Sequence, residues 1–583
     1  MPFDAFVLNA VADEIEEKLV KTGRRVHKIF QINHELIISF RGEDRSLSLF
    51  SSVHPQNFRI HFTERHYTNP PSPPAFCMLL RKHLIGGVII SLEQPPLERI
   101  LYLNFSAPNR EGKEVIKTLV LELMGKHSNL ILLDTASAEN KRNILGAIKP
   151  VSHLVNRRRT ILPHCNYFPP PPQEKFHPFA LSYEAFASEM IRFEGQTAKS
   201  AIINNIQGIS PFLAGEIVAL AGAPYISKET LRPLWNALEK LLNIYTDKRW
   251  EPTLIYNNEG TPADFSAFKP VQPFAGAFRF IPSMSMLLDE FYQFKEKREE
   301  KINLLQYLNQ HLKQALKKCR HKEKAQQKEL EEAKKAEQLR LCGELILLHL
   351  KDIPPKTAEI YLENLYSDGE KVQIALDPRI SPASNAQRYF KKYRKARQGE
   401  KKISERLAQT RQEIAYLESV LFHMEKADLP TLQEIKEELE EAGLLPKKML
   451  PLQKKTTPFT PLRYRASLGE EIIIGRNNRQ NEYLVHKFAA KTDFWLHVKD
   501  MPGAHVIIKS NNPSPETIGE AALLAAYHSK GAASSNVAVD YTQVKNIKRH
   551  PAGRPGMVIY TNYKTIFVTP KEQLVRKLLE TQR

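Results

Sequence analysis

The sequence predicts a multidomain α+β protein, and three observations carry that expectation. At 583 residues the chain is several times longer than one core usually organises, at about 100–200 residues per domain, which points to three to five units. Alternating apolar strand patterns gather towards its two ends. The interval between them spaces apolar residues in steps of three and four, as packed helices do.

The first unit, 1–172, is expected to be an α+β domain. An amphipathic helix opens it, HELIISF and FRIHF alternate as strands, and TLVLELMGKHSNLILLD reads as two strands around a His-Ser-Asn turn. The proline tract at 168–172 fits neither a helix nor an inner strand and marks a linker. A helical unit follows over 173–275. Within it, NNIQGISPFLAGEIVALAG puts Gly208 in a turn and Pro211 at a helix start, with Leu213, Ile217 and Leu220 on one face. That is the pattern of a helix-hairpin-helix, which serves either to aim backbone N–H groups at phosphates or simply to pack.

The third unit, 276–445, carries two helical seams. Leu305, Leu308, Leu312, Ala315 and Cys319 form one; Ile403, Leu407, Thr410, Ile414, Leu417, Leu421 and Met424 form the other. Two seams predict a long antiparallel coiled coil. The segment 345–376 between them, with Pro354 and Pro355, predicts a small tip subdomain where the chain reverses. A basic run at 388–406 interleaves Arg388, Lys391, Lys392 and Arg394 with Tyr389, Phe390 and Tyr393, and reads either as a solvated helix face or as an RNA contact.

The last unit, 446–583, begins at a Pro/Lys-rich stretch (446–461) and is expected to be an α+β domain. Six strands (EEIIIGR, DFWLHVK, AHVIIKS, NVAVDYTQV, MVIYTNY, TIFVTP) surround one helix from Pro515 to about Lys530, with Ser514 as its cap and Gly531 at its end.

Composition narrows the function. There are 84 Lys plus Arg against 65 Asp plus Glu, a formal net charge of +19, which favours a polyanionic partner, nucleic acid before membrane. No apolar run approaches the ~20 residues that span a bilayer. The amino terminus is acidic where a secretory signal is basic, so the chain is expected to be cytoplasmic. Cys77, Cys165, Cys319 and Cys342 are too scattered for a CxxC zinc site or a disulfide framework and are expected to be buried thiols. The P-loop, GxSxG and HExxH signatures are absent, so no enzymatic activity, metal or cofactor is expected.

Binding should therefore carry the function. Period two puts Trp495, His497 and Lys499 on one strand face. An even register across the turn adds His505, Ile507 and Lys509, with His497 and His505 nearly opposite. Such an aromatic and basic platform suits RNA; the alternative is that Trp495 is core and the histidines are polar strand residues. Two histidines leave a metal site incomplete. Lys548 and Arg549 lie in a basic loop, 545–554. In the first unit Arg81 and Lys82 end an apolar helix, where cations also complement the helix dipole. Glu98 and Arg99 precede an apolar strand, as a fork for phosphate or ribose or as an ordinary ion pair.

The stretches MPFDAF, PPAFCMLLRKHLIGG, ERI, ELMGKHSNLIL and NNIQGISP resemble the amino-terminal and hairpin domains of the NFACT family. GRNNRQNEYLV, KTDFWLHVKDMPGAHVII and ETIGEAALLAAYHSK resemble its RNA-binding domain. The resemblance covers nearly the whole chain in the expected order. It implies a monomeric, non-catalytic translation factor that recognises a large ribosomal subunit blocked by peptidyl-tRNA. The coiled coil would reach along ribosomal RNA, and the terminal domains would grip tRNA. Alanyl-tRNA would be recruited for mRNA-independent alanine tailing by the ribosome, without any membrane partner. Glu98-Arg99 stands where family members often have Asp-Arg, and Asp4 matches an acidic position linked to tailing, though it also suits a helix cap. The expected tRNA contacts are then Asp4, Arg81, Lys82, Glu98 and Arg99, with Arg388, Lys391, Lys392 and Arg394 towards the ribosome.

Two rivals accompany this reading. The family's amino-terminal domain resembles a DNA glycosylase, and Pro2 offers a secondary amine, yet Phe3 replaces that enzyme's acidic third residue and its four-cysteine finger is missing. The other rival is an adhesin, since relatives have been labelled fibronectin-binding proteins.

Overall fold

The computed structural model describes the chain except residues 1–2, 43–45, 68–69, 110, 136–141, 155, 158, 275, 365–369, 447–458, 552 and 571–583. Pro2, most of the Pro/Lys-rich stretch and part of the segment 345–376 thus lie outside the described residues. The fold is multidomain α+β, in two compact units, 1–296 and 297–583.

In the first unit, helix α1 (Ala5–Ile15) starts because Asp4 caps it, its Oδ1 accepting the N–H groups of Phe6 and Val7. Eight of its eleven residues are buried, so it forms core rather than surface. It packs with α2 (Ala75–Leu84) into the apolar core of a nine-stranded antiparallel sheet. The strands are β1 (Arg25–Ile32), β2 (Glu35–Arg41), β3 (Leu47–Ser52), β4 (Arg59–Thr63), β5 (Val88–Glu93), β6 (Ile100–Pro108), β7 (Glu114–Glu122), β8 (Asn129–Asp134) and β9 (Asn143–Ala147), ordered β4-β3-β2-β1-β5-β6-β7-β8-β9. The His-Ser-Asn turn between β7 and β8 is a single 3₁₀ turn, Gly125–His127.

Residues 168–172 are neither helix nor strand, as their prolines dictate. Four helices follow, α3 (Tyr183–Met190), α4 (Ala198–Asn205), α5 (Pro211–Ala221) and α6 (Leu231–Thr246), and then a small sheet of β10 (Thr253–Tyr256), β11 (Pro262–Ser266) and β12 (Phe278–Phe280). Leu213 and Ile217 of α5 and Leu234, Leu238 and Leu241 of α6 join the same apolar cluster as α1 and β6.

The second unit takes most of α7 (Met284–Lys334), then α8 (Ala336–Leu348), β13 (Glu359–Glu363), β14 (Lys371–Ala375), α9 (Pro382–Glu425) and α10 (Leu429–Glu441). The sequence seams meet: Leu308, Leu312 and Leu316 of α7 share a core with Tyr416, Leu417, Val420 and Met424 of α9. Between them, the β13–β14 hairpin buries Leu362 and Ile374 against Leu345, Ile346 and Ala386.

The rest of this unit is a six-stranded antiparallel sheet in the order β15-β16-β18-β17-β19-β22, with the hairpin β20–β21 beside it. The strands are β15 (Leu462–Arg465), β16 (Glu471–Ile474), β17 (Phe494–Val498), β18 (Val506–Ile508), β19 (Val537–Gln543), β20 (Ile547–Arg549), β21 (Val558–Tyr560) and β22 (Lys564–Val568). Helix α11 (Asn478–Tyr483), extended by a π turn (Leu484–Phe488), is a second helix beside the one expected, α12 (Pro515–Tyr527). Ser514 caps α12 as predicted, but the helix ends at Tyr527, short of Gly531. The Ser529 hydroxyl takes the Ala526 carbonyl as acceptor and receives the Gly531 N–H, closing a turn in place of a further helical turn. The basic loop 545–554 also differs from expectation, because residues 547–549 pair with β21.

Candidate nucleic-acid interface

The amino-terminal cluster depends on a close approach of two backbones. Leu97 holds φ +57°, rare for a residue with a side chain, and its N–H donates to the Tyr245 hydroxyl of α6 at 3.3 Å. Gly208, at φ +76° in the turn between α4 and α5, lies against it: a Cβ there would meet Leu97 Cβ at 2.5 Å and the Leu97 carbonyl oxygen at 2.8 Å. Only glycine fits both the angle and the space. Two hydrogen bonds form on either side of that contact. Gln207 Nε2 donates to Glu98 Oε1 at 2.5 Å, and the Ser210 hydroxyl donates to Asp4 Oδ2 at 2.9 Å.

Asp4 therefore both caps α1 and receives Ser210. Burial pushes its carboxyl above the usual carboxylate range, opposed by those hydrogen bonds and by the Arg99 guanidinium. Burial likewise lowers Arg99, opposed by Asp4 and Glu98, and its guanidinium sits 5.7 Å from the Phe58 ring centroid. Gln94 ties the turn down, donating to the carbonyls of Ala5 (3.2 Å) and Glu98 (2.8 Å). Three of the predicted tRNA residues, Asp4, Glu98 and Arg99, thus share one cluster. Sequence reading missed its other members, Gln94, Gln207, Ser210 and Tyr245, because their partners are distant in the chain; the NNIQGISP turn was the one available signal. Arg81 is committed elsewhere, its Nε donating to the Ile29 carbonyl at 2.9 Å, while Lys82 is exposed. Phe3 is buried, with its ring against Phe58, so that position is a core position.

The carboxy-terminal register is the even one. Trp495 pairs with Ile507 and Leu496 with Val506, which sets His497 against His505 with ring centroids 5.1 Å apart. The exposed platform expected there is corrected. Trp495 is 0% and His505 3% exposed, because the π turn after α11 and the β20–β21 hairpin cover this face with Leu484, Val485, Ile547, Val558 and Tyr560. The Trp495 ring is core, and no base can stack on it in this conformation. Nor do the histidines bring charge: burial lowers His497, lowers His505 well below the usual imidazole value, and brings His423 of α9 down to about 3. Neighbouring His497 and His423 add to the effect on His505. Trp495 Nε1, His505 Nδ1 and His423 Nε2 are buried without a hydrogen-bond partner.

The cations divide. Lys509 is held by Asp493 at 2.6 Å, and Arg549 meets Glu482 at 3.0 Å. Lys499 is half-buried with its ammonium 5.5 Å from the Tyr563 ring centroid, and Lys548 is exposed. On α9, Arg388 meets Asp377 at 3.1 Å, whereas Lys391, Lys392 and Arg394 are exposed along a helix face. Among the described residues no group of three or more His, Cys, Asp or Glu is arranged to hold a metal ion, and no helix is long and apolar enough to cross a membrane.

Comparison with known proteins places this architecture in a class. The family description "NFACT N-terminal and middle domains" matches residues 4–457, and "NFACT protein RNA binding domain" matches 460–561. The chain belongs to the NFACT family. It is 36% identical to the Rqc2 homolog RqcH of Bacillus subtilis over 582 residues, covering 99% of this chain and 100% of that one. It is also 36% identical to the Rqc2 homolog RqcH of Streptococcus pneumoniae serotype 2 over 583 residues, with the same coverage. Among solved structures, the N-terminal part of the fibronectin/fibrinogen-binding protein from Streptococcus suis is 30% identical, covering 50% of this chain and 99% of that chain, with a TM-score of 0.41.

Proposed function

We propose that this protein is a ribosome-associated quality-control factor. It binds large ribosomal subunits that carry peptidyl-tRNA and recruits alanyl-tRNA for mRNA-independent alanine tailing, which marks the nascent chain for degradation. The observation that carries the reading is similarity to RqcH proteins along 99% of the chain, with the NFACT amino-terminal, middle and RNA-binding regions in one order. The protein makes no peptide bond itself; the ribosome does. It acts as a cytoplasmic monomer.

Its parts divide the work. The NFACT amino-terminal domain (1–172) and the helix-hairpin-helix domain (173–275) hold tRNA at the Asp4, Glu98 and Arg99 cluster, with Arg81 and Lys82 nearby in sequence. The antiparallel coiled coil with its tip subdomain (276–445) meets ribosomal RNA through Arg388, Lys391, Lys392 and Arg394. The RNA-binding domain (446–583) contacts RNA through Lys499, Lys548 and Arg549, with Lys509 in support. Trp495, His497 and His505 serve by shaping that domain. A net charge of +19 supports this division, since cations that neutralise phosphates release counterions.

The test is cosedimentation combined with reconstituted tailing. The protein should travel with large subunits bearing peptidyl-tRNA rather than with intact ribosomes, and binding should weaken steeply as salt rises. Arg99→Ala should lower tailing at least tenfold while subunit binding persists. Salt-insensitive binding, or equal association with intact ribosomes, would overturn the reading; normal tailing by Arg99→Ala would return Arg99 to a structural role.

A further inference from the structure

The sheet face that carries Trp495 is only half covered. Beyond the β20–β21 hairpin it continues across β19 to β22, the edge of the sheet, and there its rings meet solvent. Phe567 is 60% exposed and Tyr563 45% exposed. Phe567 pairs across strands with Ala538, whose carbonyl accepts the Lys499 N–H at 2.9 Å, so Phe567, Ala538 and Lys499 form one row. Lys499 extends its ammonium over Tyr563.

The exposed rings stand on buried ones. Tyr563 meets Tyr560 edge-on at 5.2 Å, and Tyr560 lies 4.8 Å from Trp495. Tyr560 and Thr565 are pinned together by the buried Asp540 carboxylate, which accepts both hydroxyls, at 2.8 and 2.6 Å. The file Trp495, Tyr560, Tyr563 therefore runs from core to surface and fixes the outermost ring without solvent-side support. Single exposed rings are common on protein surfaces. Two of them on one face of an edge, with a lysine set over one and Lys548 exposed on the adjoining hairpin, match the needs of unpaired nucleotides: π surfaces for bases and cations for phosphates.

We propose that Tyr563 and Phe567, with Lys499 beside them, stack the bases of a single-stranded RNA segment. The site deepens the function proposed above and rests on its premise that this domain meets RNA. Stacking reads any base, so the site recognises strandedness rather than sequence.

The experiment uses the full chain and fluorescein-labelled twelve-residue oligoadenylate, with a matched RNA duplex as the second probe, followed by anisotropy. The intact protein should prefer the single strand. Tyr563→Ala and Phe567→Ala should each weaken single-strand binding about tenfold with little effect on melting temperature, and Tyr563→Phe should retain it. Lys499→Gln should weaken it less and flatten the salt dependence. Phe567→Thr, a strand-compatible change, gives the same test if the alanine variants melt early. Unchanged single-strand affinity in the double variant, or no preference over duplex, would overturn the proposal. Cosedimentation separates this site from the broader reading: normal subunit binding beside unaltered oligonucleotide binding removes only the site, and the reverse pattern removes only the ribosomal role.

Discussion

The amino-terminal cluster and the Trp495 face are both built from polar groups on apolar scaffolds, yet they end in opposite states. Around Asp4 the carboxylates have named partners: two backbone N–H groups and a hydroxyl reach Asp4, Gln207 reaches Glu98, and the Arg99 guanidinium opposes part of the burial penalty on Asp4. Around Trp495 burial holds the imidazoles towards their neutral form, and three ring nitrogens have no hydrogen-bond partner. The first arrangement is what a preorganised recognition site requires, since its polar groups are aimed before a ligand arrives. The second is a core that tolerates polarity, with recognition displaced to the exposed edge.

The largest effect is expected at Trp495. Replacing it with alanine should cost ~3–5 kcal/mol, read as a lowered urea midpoint of the second unit, because a large side chain at 0% exposure leaves a cavity. A Trp495→Ala chain that unfolds like the parent would make the ring a surface element after all. On the other side, Gly208→Ala adds a Cβ 2.5 Å from Leu97 Cβ at a φ of +76°. The expected cost is ~2–3 kcal/mol in the stability of the first unit, with tailing reduced as Gln207 and Ser210 shift. Unchanged stability and tailing would show that the turn and the Leu97 segment move independently.

A smaller effect is expected from pH. His423 is held down to about 3 by burial and by His497 and His528, against about 6.5 in an unfolded chain. The unfolded state therefore takes the proton first, so this contribution is complete above pH 6.5 and is lost as the pH falls towards 3. Between pH 6.5 and 5 one such histidine should remove about 2 kcal/mol. Urea titrations at the two values should show the loss, and His423→Gln should flatten it. Equal pH slopes in parent and variant would mean that His423 titrates normally.

Much of the architecture was legible because it rests on periodicity. The seams of α7 and α9 meet at Leu308, Leu312, Leu417 and Met424, and alternation gave the faces of β17 and β18, while the even register between them was a condition that the structure meets. What escaped was the covering of one surface by another. Nothing in DFWLHVK says that Leu484 and Val485 of the π turn will close over Trp495, because the face of Trp495, His497 and Lys499 reads as aromatic and basic from within its own segment. The same blindness hid α11 and β20, whose short polar patterns, NRQNEY and IKR, are held by distant partners: Gln480 donates to Glu434 of α10, Asn478 to Ser419 of α9, and β20 pairs with β21. At the amino-terminal cluster, Asp4, Glu98 and Arg99 could be named, but their arrangement depends on Leu97 adopting a left-handed turn that its own sequence disfavours.

That turn also sets the order in which the cluster can assemble while the chain is being synthesised. Glu98 and Arg99 are translated well before Gly208, and the hydroxyl that holds Leu97 belongs to Tyr245, further on still. At roughly 5–20 residues per second, the interval from residue 99 to residue 245 lasts on the order of 10–30 s, and through it the cluster has no closing partner. A nascent chain interrupted in that interval would carry the acidic and basic residues without the contacts that arrange them.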